Sequence, residues 1–199
     1  TAAQLRAPGS IDKLVKFDDG YRVLKELRSS PPYWEKAGRD LLAMIRQLGP
    51  ATIFISLSAA ETRWTHLLKI LSQVVDNVHL TDEQCTQLSW SEKCRLISSD
   101  PVTCARHFDY TFRQFLSLFL KAPNSPFGKL KDYWWRYEAQ GRGSLHVHAL
   151  LWIADAPQYG VNTEEELSEY IDKISSCQKT SGDDQVDNLV ALQVHKHTR

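Results

Sequence analysis

His146 and His148 flank one valine in the run Leu145-His146-Val147-His148-Ala149-Leu150-Leu151-Trp152, and that spacing is the chain's first chemical signal. If the run is a strand, alternate residues share a face, so both imidazoles point one way and Val147 and Ala149 the other. Two imidazoles about 7 Å apart along a strand converge on one cation when a neighbour supplies a third ligand. The preceding run, Asp132 to Gln140 (DYWWRYEAQ), offers Glu138 and Gln140, which also share a face. A hairpin folded at Gly141-Arg142-Gly143-Ser144, a linker tolerant of positive φ, would set them beside the histidines. Two neutral nitrogens and one oxygen, with positions left open, suit Mg²⁺ or Mn²⁺, a cation that polarises a phosphate. Whether Glu138 or Gln140 is the oxygen ligand stays open at this level.

His-x-His alone is a weak signal, equally at home on a surface or in a hydrogen-bonded core. The apolar flanks, the oxygen-bearing partner strand and the glycine-rich turn favour a site. Other two-histidine chemistries fit poorly. Histidine-triad hydrolases need a third His where Leu150 stands, and two-His phosphoesterases need a hydroxyl residue where His148 stands. A cupin-type site needs many short strands, whereas most of this chain reads as helix. A helical interaction domain with incidental histidines would bind no divalent ion.

The elements that must position the hairpin follow from periodicity. A helical patch covers Tyr21 to Leu27. Ser30 caps a helix with Pro31 at its first position, and Trp34, Ala37, Leu41, Ile45 and Leu48 follow at helical spacing until Gly49-Pro50. Thr52 to Leu57 reads as a largely buried strand. It runs into Ser58-Ala59-Ala60-Glu61, a capping-box pattern that predicts Ser58 as the N-cap of a helix bearing Trp64, Leu67, Leu68 and Leu71. A polar connection from Asp76 to Ser91 follows. Asp100-Pro101 then opens a helix striped by Phe108, Phe112, Phe115 and Phe119, a pattern that reads as core. After the hairpin, Asn162 or Thr163 caps a helix with an acidic first turn and a stripe of Leu167, Tyr170, Ile171 and Ile174. A short apolar run covers Asn188 to Val194. Trp134 and Trp135 face opposite sides of their strand and read as core. One of them is alternatively free to stack on a base.

The 199 residues are enough for a real core, with six Trp, seven Tyr and seven Phe in a composition 42% hydrophobic. No apolar run approaches the roughly 20 residues of a membrane span. The chain opens Thr1-Ala2-Ala3-Gln4, without a signal-peptide pattern, and its one methionine is Met44. It reads as a piece of a longer polypeptide. Four scattered cysteines without a CxxC pair suggest reduced thiols in a cytosolic or nuclear compartment. Formal net charge is zero, but five basic residues stand against two acidic ones from Lys121 to Gly143. On charge alone that stretch reads equally as a phosphate-facing surface or a solvated hairpin.

The stretch Arg136 to Trp152 (RYEAQGRGSLHVHALLW) resembles the HUH segment of Helitron-type Rep domains: a Glu-x-Gln strand, an Arg-Gly turn, His-hydrophobic-His, then an apolar run ending in Trp. Leu48 to Ser58 (LGPATIFISLS) resembles the first Rep motif, a strand ending in hydroxyl residues. Ser30 to Ile45, Leu96 to Ala105 and Val194 to Thr198 are similar to family text in the expected order. The resemblance implies an α+β fold, an antiparallel sheet flanked by helices with a helix-rich N-terminal part. It would comprise a domain over residues 30–199, incomplete at its C-terminus, after an extension of residues 1–29.

It also implies a metal-dependent endonuclease that nicks and joins single-stranded DNA, normally fused to a downstream helicase and acting in the nucleus. His146, His148 and Gln140 or Glu138 would hold Mg²⁺ or Mn²⁺. Ser56, Ser58, Arg136 and Arg142 would touch the DNA backbone. In the family the nucleophilic tyrosine lies on a helix well beyond the histidines, so it is expected downstream of Arg199. Tyr170 belongs to an apolar stripe and Tyr159 to a Pro/Gly loop. The alternative is a catalytically inactive nucleic-acid-binding module derived from such a transposase. A second His-x-His, His195 and His197, reads as a polar tail in preference to the start of another metal cluster.

Overall fold

A computed structural model describes residue 9 and residues 19–28, 30–139, 143–175 and 182–194. The chain divides into two compact units, Thr1–Phe112 with Lys131–Trp152, and Arg113–Leu130 with Ile153–Arg199. The described elements are helices and one three-stranded antiparallel sheet, as expected. Every described residue of the expected site lies in the first unit.

Two helices open the first unit, α1 (Asp19–Leu24) and α2 (Pro31–Leu48). Ser30 caps α2 as expected, accepting from the Tyr33 amide at 3.3 Å. The helix stops at Gly49, whose N–H still bonds the Ile45 carbonyl at 2.9 Å while its φ of 81° turns the following chain off the helical path. Only glycine adopts that conformation without strain. The residues at helical spacing along α2 form no fully buried stripe: Trp34 and Ile45 are exposed.

Strand β1 (Ile53–Ser58) follows, then a 3₁₀ turn (Glu61–Arg63) and α3 (Thr65–Asp76). The capping box expected at Ser58 does not form. Ser58 is the last residue of the strand, the turn is preceded by Ala60, and α3 begins after Trp64 with no side-chain cap. The strand runs one residue further than the polar signal implied, and this leaves the Ser58 hydroxyl for another partner. The connection read as polar contains α4 (Asp82–Gln87), opened by a capping box between Thr81 and Gln84. Helix α5 (Trp90–Ser99) follows, and Leu67 and Leu71 of α3 pack with Leu96 of α5 and Cys104 of the next helix. The described cysteines Cys85, Cys94 and Cys104 are free thiols. Burial pushes the Cys104 thiol up to about 11, so it stays protonated at neutral pH.

Helix α6 (Pro101–Phe115) and strands β2 (Leu130–Ala139) and β3 (Leu145–Ile153) complete the architecture around the histidines. β3 is the central strand, between β1 and β2. It pairs antiparallel with β1, setting Ser56 opposite His148 and Ser58 opposite His146. Val147, Ala149 and Leu151 are buried on one face. That face meets α6: Phe112 lies edge-on to Trp135 with ring centroids 5.0 Å apart, and Phe108 lies 5.9 Å from Tyr137. Burial therefore alternates from Val147 to Leu151, and the histidines take the other face.

In the second unit α6 continues into a π-helical turn (Leu116–Leu120), whose Leu116 and Leu120 are buried. Helix α7 (Glu164–Ile174) has Thr163 as its cap and Glu166 as the reciprocal partner. Its expected stripe is only half-buried, and Ile171 is exposed. The apolar run near the C-terminus lies in helix α8 (Asp184–Gln193). No helix among the described residues is long and apolar enough to cross a membrane.

Candidate metal and nucleic-acid site

The face of the sheet opposite α6 gathers side chains from all three strands. Strand parity predicts that His146 and His148 share it with Ser56 and Ser58 of β1, and the pairing register agrees. The Ser58 hydroxyl lies 2.9 Å from His146 Nδ1. On the other side, Glu138 Oε2 accepts from His148 Nε2 at 2.9 Å. A row of four polar side chains thus crosses the sheet: Ser58, His146, His148, Glu138. The carboxylate is half-exposed and His148 is 28% exposed, so the row is open to solvent.

Two aromatic residues frame the row. Phe54 shares the face by parity and stacks on His148, with centroids 5.7 Å apart and planes 12° from parallel. It is 64% exposed, unusual for a phenylalanine in a strand. At the far end Trp152 is buried and donates its indole N–H to the Gly49 carbonyl at 2.9 Å. Arg136 lies 3.8 Å from the Glu138 carboxylate and over the Trp34 ring at 5.7 Å. Its guanidinium is therefore shared between Glu138 and Trp34, yet it is still 47% exposed. Gln140 and Arg142 lie outside the described residues, as do His195 and His197.

Two imidazole nitrogens and one carboxylate oxygen on one solvent-facing surface are donors that a divalent ion can share. As placed, Glu138 is bonded to His148 and His146 to Ser58. Among the described residues no three His, Cys, Asp or Glu side chains already converge as a metal cage. Binding would exchange the Glu138–His148 hydrogen bond for shared coordination. The Ser58 contact at Nδ1 can persist, because a ligating imidazole commonly keeps its second nitrogen on an orienting partner.

The sequence pattern gave Ser58 a cap role, with a DNA contact implied by resemblance; it did not single out its bond to His146, the Phe54 stack or the Glu61 contact. Phe54 was recoverable, since it stands two residues before Ser56 on the same strand. Glu61 accepts from the Ser144 hydroxyl at 3.0 Å, a contact between residues 83 apart that no local spacing announces. Among the tyrosines, Tyr170 donates to the Phe127 carbonyl at 3.4 Å and burial raises its pKa. A protonated, hydrogen-bonded phenol is a poor nucleophile.

Another histidine has a structural consequence. His107 on α6 lies 5.1 Å from the Trp64 ring and 5.7 Å from His66, and its buried Nδ1 has no hydrogen-bond partner among the described residues. Burial first, and His66 second, hold its pKa below the ordinary 6.5. The folded state therefore resists a proton that the unfolded chain accepts. Stability is fully present above about pH 6.5 and falls as pH drops below it towards the folded value. Thermal melting followed by circular dichroism from pH 7.5 to 5 should show this loss. His107→Phe, which keeps a ring and removes the charge, should flatten it.

No curated protein and no solved structure matches the chain. Residues 12–151, more than half of its length, match the family described as the Helitron helicase-like domain at the N-terminus. The match takes in β1, β2 and the histidine pair of β3. The chain belongs to the Helitron helicase-like N-terminal domain family, and the row from Ser58 to Glu138 lies within its matched region.

Proposed function

We propose that this chain is the metal-binding part of an HUH-type nicking and strand-transfer domain of a Helitron transposon protein, acting on single-stranded DNA. The observation that carries the reading is the row Ser58, His146, His148, Glu138 across three strands, with 2.9 Å contacts at both ends. Ser58 holds His146 through Nδ1 and leaves Nε2 as its ligating nitrogen. Glu138 orients His148 and adds a carboxylate oxygen to the donor set, a role Gln140 would share or take. When bound, Mg²⁺ or Mn²⁺ would supply the charge that polarises a phosphodiester oxygen. Ser56, exposed and opposite His148, and the half-exposed Arg136 would meet the strand's phosphates, with Arg142 as a further contact.

In this reading the attacking tyrosine comes from chain beyond Arg199. It would form a phosphotyrosine ester to the 5′ side and release a 3′-hydroxyl, conserving the phosphodiester energy for rejoining. A helicase region of the same polypeptide and a nuclear location belong to the same proposal.

Calorimetric titration with Mn²⁺ tests the reading on this chain directly. The wild type is expected to bind one ion, and the His146→Ala, His148→Ala double variant none. Equal binding by the two proteins, or none by either, would falsify it.

A further inference from the structure

Beside His146 the surface sinks into a cleft of about 500 Å³ whose walls include Ser58, Glu61, Thr62, Trp90, Ser98 and His146. We infer that this cleft holds one unpaired base of the DNA strand, stacked on Trp90 and met at its amine edge by Glu61. The inference rests on the nicking reading and names the part of the strand that lies next to the histidines.

Trp90 is 71% exposed, the most exposed tryptophan among the described large hydrophobic residues. It is the first residue of α5, and the turn beneath it is fixed by a reciprocal cap. The Ser89 amide donates to Glu92 at 2.8 Å, and the Glu92 amide to the Ser89 hydroxyl at 3.3 Å. A rigid backbone thus presents an indole that covers little of the protein's own core. An aromatic face held beside a cleft of mixed polar and apolar lining is the platform on which single-stranded bases stack.

Glu61 decides which part of the strand enters. A phosphate would be repelled by its carboxylate, whereas a base carrying an exocyclic amine can donate to it, as cytosine N4 donates to Glu in groove recognition. The carboxylate is already steadied by the Ser144 hydroxyl at 3.0 Å. A second hollow of about 290 Å³ shares Glu61, Ile97, Ser98 and Ser144 and adds the apolar Pro101, Ala105 and Leu145. The two hollows adjoin along these shared residues, and the second adds apolar lining beside Glu61. The phosphate of the same nucleotide would then stay at the rim, where His146 stands.

Fluorescence anisotropy with labelled dC12 and dT12, in buffer containing EDTA, tests this without metal. The two pyrimidine strands differ at the edge that would face Glu61: cytosine offers an amine and thymine a carbonyl. The wild type is expected to bind dC12 more tightly than dT12. Trp90→Ala should weaken dC12 binding about 5-fold or more, the lower end of one lost base stack, and Trp90→Phe should recover most of it. Glu61→Ala should bring dC12 and dT12 to the same affinity. Unchanged dC12 binding in Trp90→Ala, or a cytosine preference that survives Glu61→Ala, would overturn the assignment, as would a wild type that binds neither strand. The Mn²⁺ titration of the wild type is the independent readout. Mn²⁺ binding without any effect of Trp90 sinks the cleft alone. Trp90-dependent DNA binding without Mn²⁺ binding sinks the nicking reading alone.

Discussion

Glu138→Ala is expected to weaken Mn²⁺ binding about 100-fold, the upper end of what loss of a partner around a metal-bound histidine costs. The substitution takes two things from the row at once. It removes the oxygen donor of the set, and it removes the 2.9 Å contact that orients His148. Glu138→Gln keeps an oxygen at the same reach and gives up only the charge, so its affinity should fall much less. Ser58→Ala removes an orienting contact and no ligand. Its effect belongs at the lower end of the range, about tenfold. The predicted order is wild type, then Glu138→Gln and Ser58→Ala, then Glu138→Ala, read by calorimetry at one pH. An unchanged affinity in Glu138→Ala would pass the oxygen-ligand role to Gln140. Arg136, 3.8 Å from the same carboxylate, adds a secondary expectation. Arg136→Ala removes a competing cation, so Mn²⁺ affinity should hold or rise slightly while DNA affinity falls.

The strands that carry the site were legible because period-two alternation and a buried face coincide in them. The run that opens at Leu145 forms β3 (Leu145–Ile153), and its alternation placed His146 and His148 on one face, as observed. β2 begins at Leu130, two residues earlier than expected, because Leu130 and Lys131 carry no distinctive β signal. The helix caps at Ser30 and Thr163 were equally legible, since capping is chemistry among residues three apart. The same rule misled at Ser58. A hydroxyl three residues before a glutamate looks like a cap, but the antiparallel partner of Ser58 is His146, 88 residues away, and that pairing kept Ser58 in the strand. Local spacing cannot report which long-range contact competes for a hydroxyl.

The looser helices teach a related lesson. The stripes of α2 and α7 have helical spacing, yet Trp34, Ile45 and Ile171 remain exposed. Periodicity identifies the helix, but what covers its stripe is decided by tertiary contacts. The stripe of α6 was half right for the same reason: Phe108 and Phe112 are buried against β2, whereas Phe119, beyond the start of the π-helical turn, is 41% exposed. A π-turn shifts the residues after it around the helix axis, so the spacing no longer keeps them on the original face. The cleft between Trp90 and Glu61 was invisible in sequence. Its walls come from the β1 end, the 3₁₀ turn, α5 and the start of β3, brought together only by folding.

Phe112→Ala is expected to destabilise the chain by about 3–5 kcal/mol, the usual cost of truncating a buried phenylalanine to alanine. Phe112 is 3% exposed, with the Trp135 ring 5.0 Å away edge-on and the Tyr137 ring at 6.1 Å. These rings of β2 close around it, and rigid aromatic walls collapse poorly into the space left behind. The loss should fall at the upper part of the range if the cavity stays empty. The effect reaches the site through β2. Tyr137 is held on α6 by its hydroxyl, which donates to Asp109 at 2.6 Å, and the next residue, Glu138, points to His148 from the opposite face. Urea unfolding followed by tryptophan fluorescence measures the destabilisation. Mn²⁺ titration of the fraction still folded then separates two outcomes. If α6 only supports the sheet, folded Phe112→Ala binds Mn²⁺ like the wild type. If α6 also sets the position of β2, its affinity falls in the folded state as well. Tyr137→Phe distinguishes ring packing from the hydroxyl contact. It should cost about 1–3 kcal/mol by leaving Asp109 without that donor, clearly less than the loss of Phe112, because both rings that wall the pocket remain.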